Sequence, residues 1–491
     1  MARTPLALAA ALVLTGLSSV AGAEPSAEDW AVCDRITATH PEPPTGAVVV
    51  DPTDGAVQRA TTEHPAGTTF WLAPGEHTLG DDQYGQVIPK DGNVYLGAPG
   101  AVLDGRTRNL YAFTGEATDV EIRDLVVRNF VARRDEGVVN HDSGDGWLIQ
   151  NNTIEHNGGA ALMAGSRQRV IGNCLRANGQ YGINAYKNGA LTDLVIEGNE
   201  ITGNNTDDWE SQVPGCGCTG GAKFWAVDGA DITRNWVHDN RGAGLWADTN
   251  NNDFVFDHNL FENNDAEALF YETSYNAVIR DNVFRGNTIV QGRSFANRGD
   301  NFPVGTIYLS ESGGEPRVPA RTDRIDIHDN TFDQNWSGIT LWENADRFCN
   351  SPANTSSGHC TLLTPDTTSC TQPAITEQPL HDDCRWKTQR VDIHHNRFII
   401  DPAALNCTTL CGRMAILSNW GTYPDWSPYK ATAVQQAITF DQQNTWRANT
   451  YVGPWTFTPF DQSRVVQSTE WQAAPYAQDV CSAFTLLPTT C

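Results

Sequence analysis

Between residues 220 and 287 the chain repeats one pattern of apolar and polar positions, with a period of about two dozen residues. An apolar residue is followed two positions later by Asn, five positions further by a second Asn, and then by a small residue and a short apolar strand. Asn235 and Asn240, Asn259 and Asn264, and Asn282 and Asn287 are the paired positions. Indexed by its first polar position, the repeat extends to Asp124, Asn152, Asn173, Asn199, Asn235, Asn259, Asn282, Asn330 and Asn396. The first eight of these each have Asn five residues on, from Asn129 and Asn157 through to Asn287 and Asn335. Such a period predicts an all-β solenoid, in which one coil buries its apolar side only when a neighbour stacks on it. Equivalent positions in a coiled parallel sheet lie about 4.8 Å apart, so an inward Asn at a turn can bond to the same Asn above and below. Ile149, Ile196, Ile232, Ile279, Ile327 and Ile393, each three residues before its index, form the predicted internal aliphatic stack.

Upstream, residues 41 to 105 hold short strand-like runs among Pro and Gly. Within them, Leu72-Ala-Pro-Gly-Glu-His-Thr-Leu79 and Gly100-Ala-Val-Leu-Asp-Gly105 resemble the opening coils of the pectin-lyase-like superfamily. The resemblance implies a single-stranded right-handed parallel β-helix over nearly the whole mature chain, and an enzyme that acts on polysaccharide. It stops short of a named activity. Asn205-Thr206-Asp207 echoes one polygalacturonase tripeptide, but the Asp-Asp, Gly-His-Gly and Arg-x-Lys elements do not follow it. The pectate lyase Trp-Ile-Asp-His and mannuronan epimerase Asp-Pro-His motifs are missing as well.

The first 23 residues have Arg3, an apolar run from Leu6 to Leu17 and Ala21-Gly22-Ala23, the three zones of a secretory signal peptide. The expected organisation is a signal at 1–23, an N-terminal cap and first coils at 24–118, and regular coils at 119–344. A Cys-rich insertion follows at 345–389, and the last coils with a C-terminal cap occupy 390–491. The period also breaks between Asn199 and Asn235, where Cys216 and Cys218 lie, and between Asn282 and Asn330. Insertions in a solenoid become loops on one face, often the binding face.

All 12 Cys follow the signal, and an even number in a secreted chain reads as disulfides that staple these loops. Net charge is -26, becoming -27 once Arg3 leaves with the signal. A field of that sign excludes general binding to nucleic acid or anionic membranes. It also repels uronate polymers unless a local basic patch or a cation reverses it. Polysaccharide is the expected partner, and the protein is expected to be a secreted, extracellular monomer.

Period-2 alternation in the strand after the second Asn points Leu245, Ala247 and Leu269 inward. It leaves one outward column of Met163, Asn184, Lys223, Trp246, Phe270, Tyr308 and Thr340. A second column holds Gly165, Tyr186, Trp225, Asp248, Glu272, Ser310 and Trp342. Large aromatic residues on an outer sheet face suit the apolar C–H faces of sugar rings, so Tyr186, Trp225, Trp246, Phe270, Tyr308 and Trp342 are the candidate substrate-binding residues.

Asp248 and Glu272, one coil apart, have about the 5 Å spacing of a retaining glycosidase pair. Hydrolysis by that pair is the first reading. The superfamily's lyases imply an alternative in which Lys223 takes the C5 proton of a uronate, with Arg241 nearby and Ca2+ held by Asp248 and Glu272. A salt bridge from either carboxylate to Lys223 or Arg241, or a protein that binds polysaccharide without cleaving it, are the remaining alternatives. His238, His258, His328 and His394 read as a polar outer stripe rather than a metal site. If the signal is read correctly, intact mass of the exported protein begins at Glu24; a mass that retains Leu6 to Leu17 contradicts it.

Overall fold

The computed structural model describes residues 30–354, 359–407 and 409–486. The signal peptide and Cys491 lie outside the described residues. Short strands of mostly three or four residues recur along the chain and pair in parallel to form three long sheets, of 13, 13 and 10 strands. In the third sheet each strand pairs with its counterpart one coil earlier and one coil later, from Gly137–Val139 to Thr456–Phe460. Neighbours that are strictly sequential and parallel in all three sheets define a parallel β-helix.

The ladder of Asn residues holds the coils in register. Asn259 shows its chemistry: Oδ1 accepts from the backbone N–H of Asn235 at 2.9 Å and from its Nδ2 at 3.0 Å. Its own Nδ2 donates to Oδ1 of Asn282 at 2.9 Å and to the carbonyl of Ile232 at 2.8 Å. Every capacity of the buried amide is thereby used. The same bonding links Asn152, Asn173 and Asn199 at the start and Asn330, Asn396 and Asn449 at the end. A second ladder runs from Asn157 through Asn178, Asn204, Asn240, Asn264 and Asn287 to Asn335.

The residue before each ladder Asn turns the chain in the left-handed region, as at Arg234 (φ 54°), His258 (φ 53°) and Asp281 (φ 54°). That conformation is costly for a side chain such as Arg, and the fully bonded Asn behind it offsets the cost. Here the sequence index needs one correction. Ile122 pairs with Ile149, so Leu125, not Asp124, is the counterpart of Asn152. Asp124 (φ 61°) and Asn129 (φ 62°) occupy the left-handed position one residue earlier, and the ladder begins at Asn152. Asp124 instead anchors the N-terminal strap, accepting from the backbone N–H of Thr39 at 3.0 Å and its hydroxyl at 2.7 Å.

Inside, Ile196, Ile232, Phe256, Ile279, Ile327, Ile393 and Trp446 stack in one column. All are at most 2% exposed. Rings of Phe261, Phe284, Phe332 and Phe398 form a second column with centroids 4.5 to 4.9 Å apart. Extra residues enter at two junctions only where function concerns us. Residues 205–221 and 288–306 both precede a strand of the third sheet, whereas 345–389 follows one.

Disulfides Cys349–Cys360 and Cys370–Cys384 close that last insertion on itself, around its own small core of Phe348 and Ile375. Cys33–Cys174, Cys216–Cys218 and Cys407–Cys411 complete the bridges. Among the described residues these bridges take every cysteine but the exposed Cys481, and Cys491, the remaining cysteine, lies outside them. No helix among them is long and apolar enough to cross a membrane.

Replacing Asn259 by Ala orphans the Asn235 amide and the Ile232 carbonyl, and should lower stability by about 2 to 5 kcal/mol. An unchanged melting curve contradicts the ladder's role.

Candidate functional site

The outer face of the third sheet carries the two columns in stacked register. Asn184, Lys223, Trp246, Phe270, Tyr308 and Thr340 pair in succession. Strand spacing brings the rings into contact: Trp246 and Phe270 stack with centroids 4.8 Å apart, Phe270 and Tyr308 with 4.9 Å. Their outer edges form the side of an open groove of about 730 Å³. The groove exists because two coils are short where their neighbours are long. At Leu245 and Leu269 the preceding turns are only Arg241–Ala243 and Asp265–Glu267, while the insertion stapled by Cys216–Cys218 stands on one side. On the other side stand the helix Ile289–Arg298 and Phe302. Phe302 meets both Tyr308 and Trp342 edge-on, at 5.9 and 5.3 Å.

Asp248, Glu272 and Lys223 lie together behind Trp246. Lys223 Nζ is 3.0 Å from Asp248 Oδ2, donates to the Gly217 carbonyl at 2.8 Å, and sits 4.0 Å from the Trp246 ring centroid. Trp246 Nε1 donates to Glu272 Oε2 at 3.1 Å. Asp248 Oδ1 accepts from the backbone and hydroxyl of Thr249 at 2.7 and 2.9 Å.

The other half of this cluster comes from residues that the repeat could not reveal. Arg347, from the Cys-rich insertion, forms an ion pair with Glu272 and lies 3.5 Å from Glu311 Oε2. Glu311 also accepts from the Ser310 hydroxyl and from the Asn344 amide. Three carboxylates and two cations thus share a nearly closed space, the side chains of Asp248, Glu272 and Lys223 being 10, 13 and 16% exposed.

The insertion covers this space with several further contacts. Asn250 Nδ2 donates to the Cys360 carbonyl at 2.7 Å, Trp386 Nε1 donates to Asn250 Oδ1 at 2.9 Å, and His359 stands 5.0 Å from Trp225. Trp225 is therefore half-buried beneath the loop, with Tyr186, half exposed, at its edge. Arg241 does not join the cluster; it lines the groove, 3.6 Å from Asp208.

Burial pushes the Glu272 carboxyl up, and the charge of Asp248 adds to that, against the pull of Arg347. Burial likewise raises Glu311 to about 7, although Arg347 opposes it. At the groove, burial brings Glu267 to about 6 and raises Asp265. Burial pulls the Arg347 guanidinium down, but Glu311 and Glu272 hold it above its ordinary value.

A Ca2+ ion does not fit Asp248 and Glu272 as they stand. Each carboxylate already faces a cation from the chain, Lys223 or Arg347, and the Asn250 and Asn251 amides are directed at backbone carbonyls. Among the histidines, His328 and His394 stack with centroids 5.0 Å apart and His394 reaches Asp326 at 2.9 Å. Arg447 already bridges the adjoining Asp392 at 2.8 Å.

Residues 136–305 match the family described as "Right handed beta helix region". No curated protein matches the chain. Among solved structures it is similar to the catalytic unit of a thermostable GH87 alpha-1,3-glucanase from Streptomyces thermodiastaticus strain HF3-3. That match has 12% identity and a TM-score of 0.51, and covers 91% of this chain and 69% of that one. A catalytic domain of GH87 alpha-1,3-glucanase in complex with nigerose gives 12% identity and a TM-score of 0.41, over 92% of this chain and 70% of the other. The A-module of the Azotobacter vinelandii mannuronan C-5 epimerase AlgE4 gives 14%, 0.36, 60% and 86% for the same quantities. These likenesses and the three parallel sheets make the fold a right-handed parallel β-helix.

The raised Glu311 carboxyl fixes a sign for pH dependence. Its folded value of about 7 exceeds its ordinary 4.5, so the folded state holds the proton more tightly and stability falls as pH rises between those values. Glu311→Gln should flatten that part of the stability profile, as measured by melting at a series of pH values. An unchanged profile shows that Glu311 does not carry it.

Proposed function

We propose that the protein is a secreted carbohydrate-active enzyme that hydrolyses a polysaccharide lying against Trp246, Phe270 and Tyr308. The observation that carries this reading is the aromatic stack open to a groove, beside buried carboxyls. The edges of three rings at strand spacing present a continuous apolar strip of about 10 Å, the length of roughly two sugar units. The disulfides and the absence of a membrane-crossing helix among the described residues accord with an extracellular protein.

In this reading Glu272 is the proton donor. It projects from the same strand face as Phe270, two residues on, and burial raises its carboxyl, the direction that suits a general acid. Asp248, one coil away and ion-paired to Lys223, is the ionised partner that attacks or stabilises the developing positive charge at the anomeric carbon. Arg347 stands against Glu272 where a leaving oxygen would approach, so turnover requires the Cys-rich insertion to shift. Lys223 is less suited to the lyase role, because Asp248, the Gly217 carbonyl and the Trp246 face already engage its ammonium.

One observation favours a second reading, binding without cleavage: both carboxylates are neutralised by cations of the chain, as in a structural ion-pair network. The two separate cleanly. Glu272→Gln and Asp248→Asn should each reduce release of new reducing ends by about 100-fold or more while polysaccharide binding persists. Wild-type protein that binds sugars and releases no reducing ends establishes the second reading instead. A product absorbing near 235 nm, characteristic of an unsaturated uronate, overturns hydrolysis in favour of elimination.

A further inference from the structure

The groove is rich in hydrogen-bond acceptors and poor in donors to meet them. Asp208, Glu210, Asp265 and Glu267 line it, against the guanidiniums of Arg241 and Arg298. Arg241 is engaged by Asp208 at 3.6 Å. Arg298 lies over the Phe295 ring, 4.5 Å from its centroid, and donates to Ser294 Oγ at 3.0 Å. Glu267 is the most deeply buried of these acids. It is 8% exposed and, among the described residues, has no cation at salt-bridge distance. Its carboxylate accepts from Gln291 Nε2 at 3.0 Å. The other end of the same amide, Gln291 Oε1, is buried and has no hydrogen-bond partner. A carboxyl more than nine-tenths buried and an orphaned amide oxygen thus border one groove, beside the apolar edge of Phe270.

Building on the carbohydrate reading above, we propose that the groove takes a polysaccharide whose sugars carry free amino groups, with a ring against Phe270 and its ammonium between Glu267 and Asp265. An ammonium is the group that answers every feature at once. It brings three N–H donors and one positive charge to the hydroxyl-bearing edge of the sugar ring, and its bonds to carboxylates are charge-assisted. It would also return Glu267 to the ionised state that burial now disfavours.

The N-acetylated sugar offers one amide N–H and no charge, and adds a carbonyl that these carboxylates would repel. A uronate places a further carboxylate among four. A neutral hexose supplies hydroxyl donors without the charge. The net charge of -26 acts in the same direction at longer range, drawing a polycation towards the surface.

The test measures affinity of the full-length protein by titration calorimetry for α- and β-linked polyhexosamines. Each is compared with its own N-acetylated form, and neutral glucans of similar length are included. The amino form of at least one linkage should bind about tenfold or more tightly than its acetylated counterpart, and added salt should erode the difference. Glu267→Gln should remove about tenfold of the amino-form affinity and leave the acetylated form unaffected. Asp265→Asn, at a less buried position, should act in the same direction, with melting curves confirming that both variants fold.

Equal or weaker binding of the amino form in every pair overturns the inference, and binding of neutral glucans then leaves the carbohydrate reading standing. Wild-type affinity for the amino form in both variants overturns it as well. Failure to bind any sugar overturns the inference and the carbohydrate reading together.

Discussion

From Asn152 onward each coil turns through a left-handed residue, and a hydrogen-bonded Asn amide keeps that turn in place. A side chain such as Arg234 or His258 in that conformation is unfavourable alone. Stacked on the Asn ladder, the turn repeats at strand spacing, and strand register follows from it. Register then decides everything outside: because side chains alternate with period two, a one-residue slip would turn Trp246 inward and Leu245 outward. The aromatic stack on the outer face is thus a consequence of amide hydrogen bonds at the turns.

On that fixed face, the insertions divide the surface into an open part and a closed part. Short turns before Leu245 and Leu269, between two long ones, leave the groove open at Trp246 and Phe270. The disulfide-stapled insertion closes the neighbouring column, and it does so through a charge: Arg347 enters between Glu272 and Glu311. Bringing a guanidinium into a nearly closed space costs desolvation energy that only well-placed carboxylates offset. The same carboxylates are raised by their burial, so the loop that covers the cluster and the protonation of the cluster are linked. In chemical terms, the groove offers an apolar strip with acceptors along its edge, and the cluster offers three buried carboxyls held between two cations.

The sequence by itself determined the coil and the two columns. The paired Asn residues, the Ile stack and the alternation around Leu245 and Leu269 are all short-range patterns, and a solenoid converts short-range pattern directly into stacked position. Where the pattern is weakest, at Asp124 and Asn129, the index is one residue off, and Glu121, three positions before Asp124 where the other coils have an apolar residue, marks the fault. Tertiary structure alone decided what covers each column. Arg347 sits among cysteines with no periodic partner, and nothing near it in sequence indicates that it reaches Glu272 in a coil about 75 residues away. Glu267 and Gln291 escaped for the same reason: one lies in a turn outside the strand alternation, the other on a helix inside an insertion. Their meeting depends on how that helix packs back over the coil, which is a matter of long-range contact rather than local pattern.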